Sequence, residues 1–357
     1  MKEKYHIIGL MSGTSLDGLD MVAATFSYTT ENQWEFHIDA AATYAYSSAM
    51  LERLKTATAL SGLELMLLDN DLGVFFSEKI AHFIRKNNLH QHSIDAIASH
   101  GHTIFHQPEK NLTLQIGNGA IIAAHTALPT IYNFRVSDVA HGGQGAPLVP
   151  IGDVSLFADV DVCVNLGGIA NLTYVANNKA IAFDVSPCNM VLNKLANKVG
   201  KPYDDSGHLA QTGEVNKTLL KRLNQLNYYQ QAPPKSLGIE WVTANIFPVL
   251  ESFDQLPIAD LLSTFSAHIA QQLTAVFPKE SKSVLVTGGG VWNKDLISRI
   301  AEESNKKIIV PHQTIVDYKE ALIFAFLGVK RLRNEVNCLS SVTGAKKDNV
   351  GGIIALP

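Results

Sequence analysis

The chain of 357 residues has few cysteines, a low content of charged residues and no long hydrophobic segment. Its three cysteines, Cys163, Cys188 and Cys338, lie far apart and form no C-x-x-C pair, which argues against a disulfide framework and a structural zinc site. No stretch reaches the roughly 18 apolar residues of a membrane span, and the N-terminus lacks the apolar segment of a secretion signal. We therefore expect a cytoplasmic protein with reduced thiols.

The sequence also has no excess of basic residues over acidic ones. Charged residues make up 17% of the sequence and the formal net charge is -4, with no run of lysines or arginines. This composition disfavours nucleic acid and membrane surfaces as partners and leaves small molecules. Hydrophobic residues amount to 46%, and the length exceeds the roughly 250–300 residues at which one core stops growing. Two domains with a cleft between them are expected.

The spacing of apolar residues predicts a mixed α/β fold. Strands are predicted at 5–11, 19–28, 34–46, 94–99, 112–116, 129–132, 160–164, 172–175, 180–183, 283–287 and 307–310. Helices are predicted as two between 47 and 88, then at 119–125, 188–199, 211–226, 258–278, 293–304 and 317–331. Both halves open with an apolar run, a turn of small residues and a second apolar run, so a duplicated architecture is expected.

The stretch 133–160 is rich in Gly, Pro, Asp and His, and we place the domain crossing there. The predicted N-terminal α/β domain is 1–136 and the C-terminal α/β domain is 137–330. The polar, Gly-rich tail, 331–357, is left unassigned.

Three turns of small residues follow predicted buried strands. The first, Met-Ser-Gly-Thr-Ser-Leu-Asp-Gly at 11–18, offers successive backbone N–H groups and hydroxyls that can bind a phosphate without a lysine, although an ordinary hairpin turn has the same composition. The other two are Asn-Leu-Gly-Gly-Ile-Ala-Asn at 165–171 and Val-Thr-Gly-Gly-Gly-Val-Trp-Asn at 286–293. Loops at strand ends are where α/β sheets bind ligands. The candidate nucleotide-binding residues are Ser12, Gly13, Thr14, Ser15, Asp17, Gly167, Gly168, Gly288, Gly289, Gly290 and Asn293.

The common nucleotide-binding motifs are missing. Gly200-Lys201 is followed by Pro202 and has no glycine at the upstream position of a Walker motif, and no G-x-G pair has the third glycine of a dinucleotide fingerprint. The sequence therefore favours a nucleotide site built from backbone amides, with Mg²⁺ in place of lysine.

Two further positions carry candidate chemistry. Asp184 ends a predicted buried strand, where it could act as a general base or simply cap the following helix. His100 and His102 form an H-x-H at another strand end, which could hold a metal with His106, hydrogen-bond a substrate through His100, or be structural.

Together these segments resemble the anhydro-N-acetylmuramic acid kinase family, of the actin, sugar kinase and Hsp70-type ATPase superfamily, along nearly the whole chain. The matching segments are 9–18, 99–101, 115–119, 134–135 with Asp138, 142–147, 165–172, 233–236, 288–290, 320–321 and 343–345. The resemblance implies a two-domain actin-like ATPase (ribonuclease H-like) fold with a central cleft, ATP and Mg²⁺ as cofactors, and a homodimer.

The resemblance also implies a reaction. ATP and water would convert 1,6-anhydro-N-acetylmuramic acid, a sugar of cell-wall recycling, to N-acetylmuramic acid 6-phosphate. Asp184 would activate the water, the turn amides of residues 12–15 would stabilise the transferring phosphoryl group, and Asp17 would hold hydrated Mg²⁺ unless it merely caps its turn. His100, Arg135 and Glu320 are the predicted sugar-side residues, with a solvated surface pair as the alternative for the last two.

Three positions depart from the family's pattern. Val185-Ser186 replaces Thr-Gly after the base, His102 replaces a glutamine, and Asn133 replaces an acid. We expect these changes to alter polar groups beside the substrate. A catalytically degenerate nucleotide-dependent sugar-binding or regulatory protein, or a kinase for another sugar, therefore stays open as an alternative.

Overall fold

The computed structural model describes residues 2–357 and is a mixed α/β protein. The strands are β1 (Lys4–Ser12), β2 (Leu19–Tyr28), β3 (Trp34–Tyr44), β4 (Ala96–Gln107), β5 (Leu112–Ile116), β6 (Thr130–Tyr132), β7 (Val162–Leu166), β8 (Ile169–Ala176), β9 (Lys179–Pro187), β10 (Ser283–Thr287), β11 (Lys307–Ile309) and β12 (Ile353–Ala355). The helices are α1 (Ser48–Lys55), α2 (Gly62–Lys86), α3 (Gly119–Thr126), α4 (Val136–Ala140), α5 (Pro150–Leu156), α6 (Asn189–Asn197), α7 (His208–Thr212), α8 (Lys217–Asn224), α9 (Ile239–Glu251), α10 (Ile258–Val276), α11 (Lys294–Ser304), α12 (Gln313–Leu332) and α13 (Ser340–Thr343). None of the helices formed by residues 2–357 has the length and apolar character to cross a membrane.

The chain divides into two compact units, each built on one sheet. Unit 1 contains the residues up to Leu156 together with Tyr318–Pro357, and unit 2 is Phe157–Asp317. The sheet order in unit 1 is β12-β6-β4-β1-β2-β3, with β5 paired to β4, and the order in unit 2 is β11-β10-β7-β8-β9. The mixed α/β class is confirmed.

Both sheets follow one plan. In each, the first three strands of the unit form an antiparallel meander, and the first strand pairs in parallel with the fourth on its other side. The duplicated opening that the sequence predicts is therefore confirmed in strand order. Central strands are buried on both faces, which is why β1 reads as a nearly continuous apolar run, with Ile7, Ile8 and Leu10 fully buried.

Each sheet is covered by long helices. Helix α2 begins with a capping box of Ser61 and Glu64, and its apolar face, including Leu72 and Phe76, joins the core over the unit 1 sheet. Helix α10 is buried along most of its length in the core of unit 2.

The division of the chain differs from the predicted boundaries of 1–136 and 137–330. Residues 137–156, 318–330 and the tail all belong to unit 1. The Gly- and Pro-rich stretch is not a linker, because buried Asp138 accepts hydrogen bonds from Gly145 N (2.8 Å), Thr343 Oγ1 (2.8 Å) and Asn349 Nδ2 (2.9 Å). These bonds attach the tail to the loop, and β12 adds to the sheet beside β6.

Two helical predictions are corrected as well. The predicted helix 211–226 is replaced by α7 and α8, which are separated at Gly213, where a Cβ would lie 2.1 Å from the carbonyl oxygen of Ala259. Helix α9 has no predicted counterpart, since Pro248 inside it is a residue that usually ends a helix.

The close contact of β1 with α12 gives a stability prediction. A Cβ at Gly9 would lie 2.1 Å from the Ala321 carbonyl oxygen and 2.8 Å from Ala325 Cβ, so the helix and strand must separate in Gly9→Ala. We expect the free energy of unfolding to fall by about 3 kcal/mol, measured by urea denaturation.

Gly62→Ala is the matched control. A Cβ at Gly62 meets nothing within 4 Å in the first turn of α2, so this variant is expected to be unchanged or stabilised by up to about 1 kcal/mol. Equal unfolding midpoints for the two variants would show that β1 and α12 are not in close contact.

Candidate active site

The first candidate loop lies in unit 1, between β1 and β2. A turn closes with a hydrogen bond from Leu16 N to Gly13 O (3.2 Å), and Thr14, Ser15 and Asp17 are exposed around it. No hydrogen bond or ion pair engages the Asp17 carboxylate within the described chain. The loop thus presents hydroxyls and one free carboxylate to solvent.

Two side chains contact Ser12 at the start of this loop. Its side chain is buried, and its Oγ accepts a hydrogen bond from the Tyr46 hydroxyl (2.7 Å) and lies 2.8 Å from His102 Nδ1. Burial raises the pKa of Tyr46 to about 12, so its hydroxyl stays protonated. Neither Tyr46 nor the contact of His102 with Ser12 is recognisable from sequence spacing.

Arg135 and His100 form a second group in unit 1. Arg135 donates from Nε (3.1 Å) and Nη2 (2.8 Å) to His100 Nε2, and from Nη1 to Gly145 O (2.7 Å). His100 Nε2 must therefore be the acceptor nitrogen, and its Nδ1–H donates to Gly101 O (2.9 Å). Burial, and then the charge of Arg135, keep the pKa of His100 well below its usual value, so the ring is neutral.

This arrangement corrects the direct role expected for His100. Both ring nitrogens bond to protein groups, which leaves neither for a sugar hydroxyl; the histidine instead orients Arg135. The metal alternative for the H-x-H also finds no support, because residues 2–357 contain no cluster of three or more His, Cys, Asp or Glu that could hold an ion.

Glu320 and Asp20 add negative charge to this part of unit 1. The Glu320 carboxyl remains open to solvent, yet surrounding protein raises its pKa by desolvation, against the charges of Arg135 and Lys319. Arg135 keeps its proton at neutral pH, although burial lowers its pKa to about 10. Asp20, which the sequence reading missed, accepts a hydrogen bond from Thr43 Oγ1 (2.6 Å) and acts electrostatically on Glu320.

In unit 2, Asp184 lies on β9, the edge strand of the sheet. Its Oδ2 accepts a hydrogen bond from Leu237 N (2.8 Å). Its backbone N–H donates to Lys235 O (3.3 Å), and its backbone carbonyl accepts from the Tyr228 hydroxyl (2.6 Å). The segment 228–237 therefore covers the open edge of β9 and explains the Pro-Pro-Lys-Ser motif within it.

The Asp184 carboxyl has no cationic partner in the described part of the chain. Lys235, the nearest lysine in sequence to Leu237, donates instead to Tyr228 O (3.2 Å) and lies over the Tyr228 ring. Burial raises the pKa of Asp184, and the single Leu237 N–H only partly opposes this. The helix-cap alternative is wrong, because α6 begins at Asn189 with Cys188 as its N-cap residue.

The two altered residues after Asp184 are buried. Val185 and Ser186 are buried at 2% and 0% exposure. The Ser186 hydroxyl donates to Pro187 O (3.0 Å). Neither side chain therefore presents a polar group at the surface of the protein.

The Gly-rich turns of unit 2 contact neighbouring residues and also leave part of their backbone accessible. The carbonyls of Gly167 and Gly168 accept hydrogen bonds from Asn189 N (3.1 Å) and Cys188 N (2.8 Å) at the start of α6. A Cβ at Gly168 would meet nothing closer than 3.8 Å, so this turn remains accessible.

In the turn after β10, two of the three glycines are required by packing. A Cβ at Gly288 would lie 2.5 Å from Asn165 Oδ1, and one at Gly290 would lie 2.6 Å from Leu166 Cβ. Gly289 is exposed and open. Asn293 caps α11 by accepting from Leu296 N (3.0 Å), so its Oδ1 is already engaged.

Comparison with known proteins gives the class of this α/β protein as a kinase. The sequence profile described as "Anhydro-N-acetylmuramic acid kinase" matches residues 5–356, and the chain belongs to this family.

Named relatives agree over their full length. The chain is 34% identical to the anhydro-N-acetylmuramic acid kinase of Hydrogenovibrio crunogenus, covering 98% of both chains, and 35% identical to that of Clostridioides difficile, covering 97% of both. Among solved structures, component A of the (R)-2-hydroxyglutaryl-CoA dehydratase of Acidaminococcus fermentans is similar at a TM-score of 0.46 and 12% identity, covering 90% of this chain and 96% of that one.

The burial of Ser186 yields a prediction. Ser186→Gly removes a hydroxyl that points into the interior, so we expect the free energy of unfolding to fall by about 1–2 kcal/mol while turnover changes less than about twofold. Denaturation and steady-state kinetics measure the two effects. A large change in turnover without a change in stability would place Ser186 beside the substrate.

Proposed function

We propose that the chain is an ATP-dependent kinase that opens 1,6-anhydro-N-acetylmuramic acid with water and phosphorylates it to N-acetylmuramic acid 6-phosphate, in peptidoglycan recycling. Family membership supports the substrate, and the environment of Asp184 supports the mechanism. The observation that carries the proposal is a carboxylate on an edge strand with a raised pKa and no cationic partner. A cytoplasmic homodimer, implied by the family resemblance, is part of the same proposal.

Asp184 acts as the general base. Its Oδ2 is engaged by Leu237 N–H, which leaves Oδ1 to accept a proton from water as the water oxygen attacks C1 of the sugar. The C1–O6 bond breaks, and O6 takes the γ-phosphoryl group as the bond from that group to ADP breaks. No base is needed at O6, because this oxygen is bonded to C1 and carries no proton.

The loop of unit 1 binds phosphate. The backbone N–H groups and hydroxyls of residues 12–15 supply donors to phosphoryl oxygens, on which negative charge is concentrated. Asp17 would hold Mg²⁺, since a free carboxylate on an exposed loop suits an ion that keeps several waters and binds one or two carboxylates together with phosphates. When bound, the ion neutralises phosphate charge.

In unit 2, the candidates for nucleotide contacts are the backbone groups of Gly167, Gly168 and Gly289. Gly288 and Gly290 support the turn through close packing on β7. Asn293 contributes mainly by capping α11.

Arg135 and Glu320 are assigned to the sugar. The guanidinium is held in place by His100 and Gly145 O, and its charge complements the carboxylate of muramic acid. The Glu320 carboxyl has no hydrogen-bond partner among the residues described and can accept from a sugar hydroxyl. The non-catalytic alternative was motivated by residues 185–186, whose burial gives it no support.

The proposal is tested by product analysis in ¹⁸O-water with Mg·ATP and the anhydrosugar. We expect N-acetylmuramic acid 6-phosphate with the label at the C1 hydroxyl and none in the phosphate group, since water attacks carbon. Mass spectrometry of the product and of its phosphate fragment separates the two positions. Label in inorganic phosphate without a sugar phosphate would instead indicate ATP hydrolysis and would exclude this function.

The pH dependence tests the role of Asp184. Only the ionised carboxylate can accept a proton, and its pKa is raised, so kcat/KM is expected to fall on acidification at a higher pH than an ordinary aspartate would give. Asp184→Asn should lower kcat by about 10²–10⁴ and remove this acidic limb. An unchanged profile in the variant would assign the limb to another group.

A further inference from the structure

The buried contacts beneath Ser12 have no part in the mechanism above. Ser12, His102 and Tyr46 are 1%, 4% and 7% exposed, and two side chains from separate strands and loops converge on one hydroxyl oxygen. The Tyr46 hydroxyl lies 2.7 Å and His102 Nδ1 lies 2.8 Å from Ser12 Oγ. The question is which of the three groups donates.

Tyr46 is a donor to Ser12. Its O–H points to Ser12 Oγ, and burial raises the pKa of Tyr46 to about 12, with Asp20 adding to the effect and the bond to Ser12 opposing it. The phenol therefore keeps its proton at neutral pH. Ser12 Oγ uses one of its two lone pairs to accept this hydrogen bond.

His102 makes the second contact with Ser12 Oγ, through its Nδ1. Burial lowers its pKa, so the ring is neutral and carries a single N–H. With this proton on Nδ1, the nitrogen 2.8 Å from Ser12 Oγ, His102 is the second donor to that oxygen.

A hydroxyl oxygen has two lone pairs and one proton. With both lone pairs occupied by Tyr46 and His102, the Ser12 proton cannot point at either of them. We propose that His102 and Tyr46 are positioning residues that direct the Ser12 hydroxyl proton toward a phosphate oxygen of the bound nucleoside triphosphate. This proposal rests on the proposed function, because it needs a phosphate at the loop of residues 12–18.

The opposite tautomer makes the opposite prediction. With the proton on Nε2, Ser12 would donate to His102 Nδ1, and the hydroxyl would offer no proton to a ligand. Loss of His102 would then free the Ser12 hydroxyl and leave nucleotide binding equal or tighter. The two arrangements are therefore separable by experiment.

The test is calorimetric binding of the β,γ-imido analogue of ATP with Mg²⁺ to the full-length protein. His102→Leu removes the donor and should weaken binding about tenfold, the usual effect of one hydrogen bond to a charged group. His102→Gln restores an N–H donor and should bind within about threefold of the wild type. Adenosine, which has no phosphate, should bind both variants as it binds the wild type.

Two controls make the result specific. Ser12→Ala should weaken binding itself, and adding His102→Leu to it should cause no further loss, because His102 acts through the Ser12 hydroxyl. His125→Leu removes an exposed histidine of α3 and should bind as the wild type does. An undiminished affinity in His102→Leu, or an equal loss for adenosine, would overturn the proposal.

A second measurement does not depend on the variants folding. In protein labelled with ¹⁵N-histidine, NMR reports which ring nitrogen of His102 carries the proton, and we expect Nδ1–H at neutral pH. An Nε2–H tautomer would overturn the inference while leaving the proposed function intact. A wild-type protein that binds no ATP analogue, even with the anhydrosugar present, would refute the proposed function and this inference with it.

Discussion

The hydrogen bond from Leu237 N–H to one oxygen of the Asp184 carboxylate is the contact on which this account depends. This hydrogen bond holds the side chain in place and lowers the pKa of Asp184. Desolvation of the charged form raises that pKa by more, so the pKa stays above its ordinary value. Had Lys235 reached Asp184, a nearby positive charge would have lowered that pKa and weakened the base. Instead the lysine is bound to Tyr228, and Asp184 keeps one oxygen free.

A similar arrangement of contacts occurs in unit 1. Buried groups there are joined to one another so that a single charge or proton is left for a ligand. His100 bonds to Gly101 O through Nδ1 and orients Arg135 through Nε2, and the Arg135 charge remains. Tyr46 and His102 both contact Ser12 Oγ, and in the proposed arrangement they occupy its two lone pairs. Backbone packing supports these groups, since glycines such as Gly9 allow a strand and a helix to approach closely. Preorganisation of this kind is what a phosphoryl transfer needs from a protein.

Much of the fold could be predicted from the sequence where local signals are strong. Strands β2, β5 and β10 occur where the apolar runs end in turn residues, and their predicted bounds match the structure. Strand β12 could not be predicted, because it forms through pairing with β6 more than two hundred residues earlier in the chain. The boundary near 136 was misplaced for a related reason. The glycines and prolines of this stretch are typical of a linker. The hydrogen bonds of Asp138 with the tail cannot be recognised from the sequence.

The candidate site shows the same limit. Residue type and position at a strand end predict Asp184 and the loop of residues 12–18 as candidates. The partners that tune them, Leu237 for Asp184 and His102 for Ser12, come from distant segments. Gly288 was assigned to ligand binding on composition, whereas its lack of a side chain is required by Asn165 and Leu166.

The most direct test of the central claim is the titration of the Asp184 carboxyl itself. Carbon-13 NMR of protein labelled at aspartate Cγ, with Asp184→Asn used to assign the signal, gives its midpoint in the free protein. The account predicts a midpoint above the ordinary aspartate value of about 3.9. A midpoint at or below that value would mean that Asp184 is stabilised as an anion, and would contradict its role as a base held ready for water.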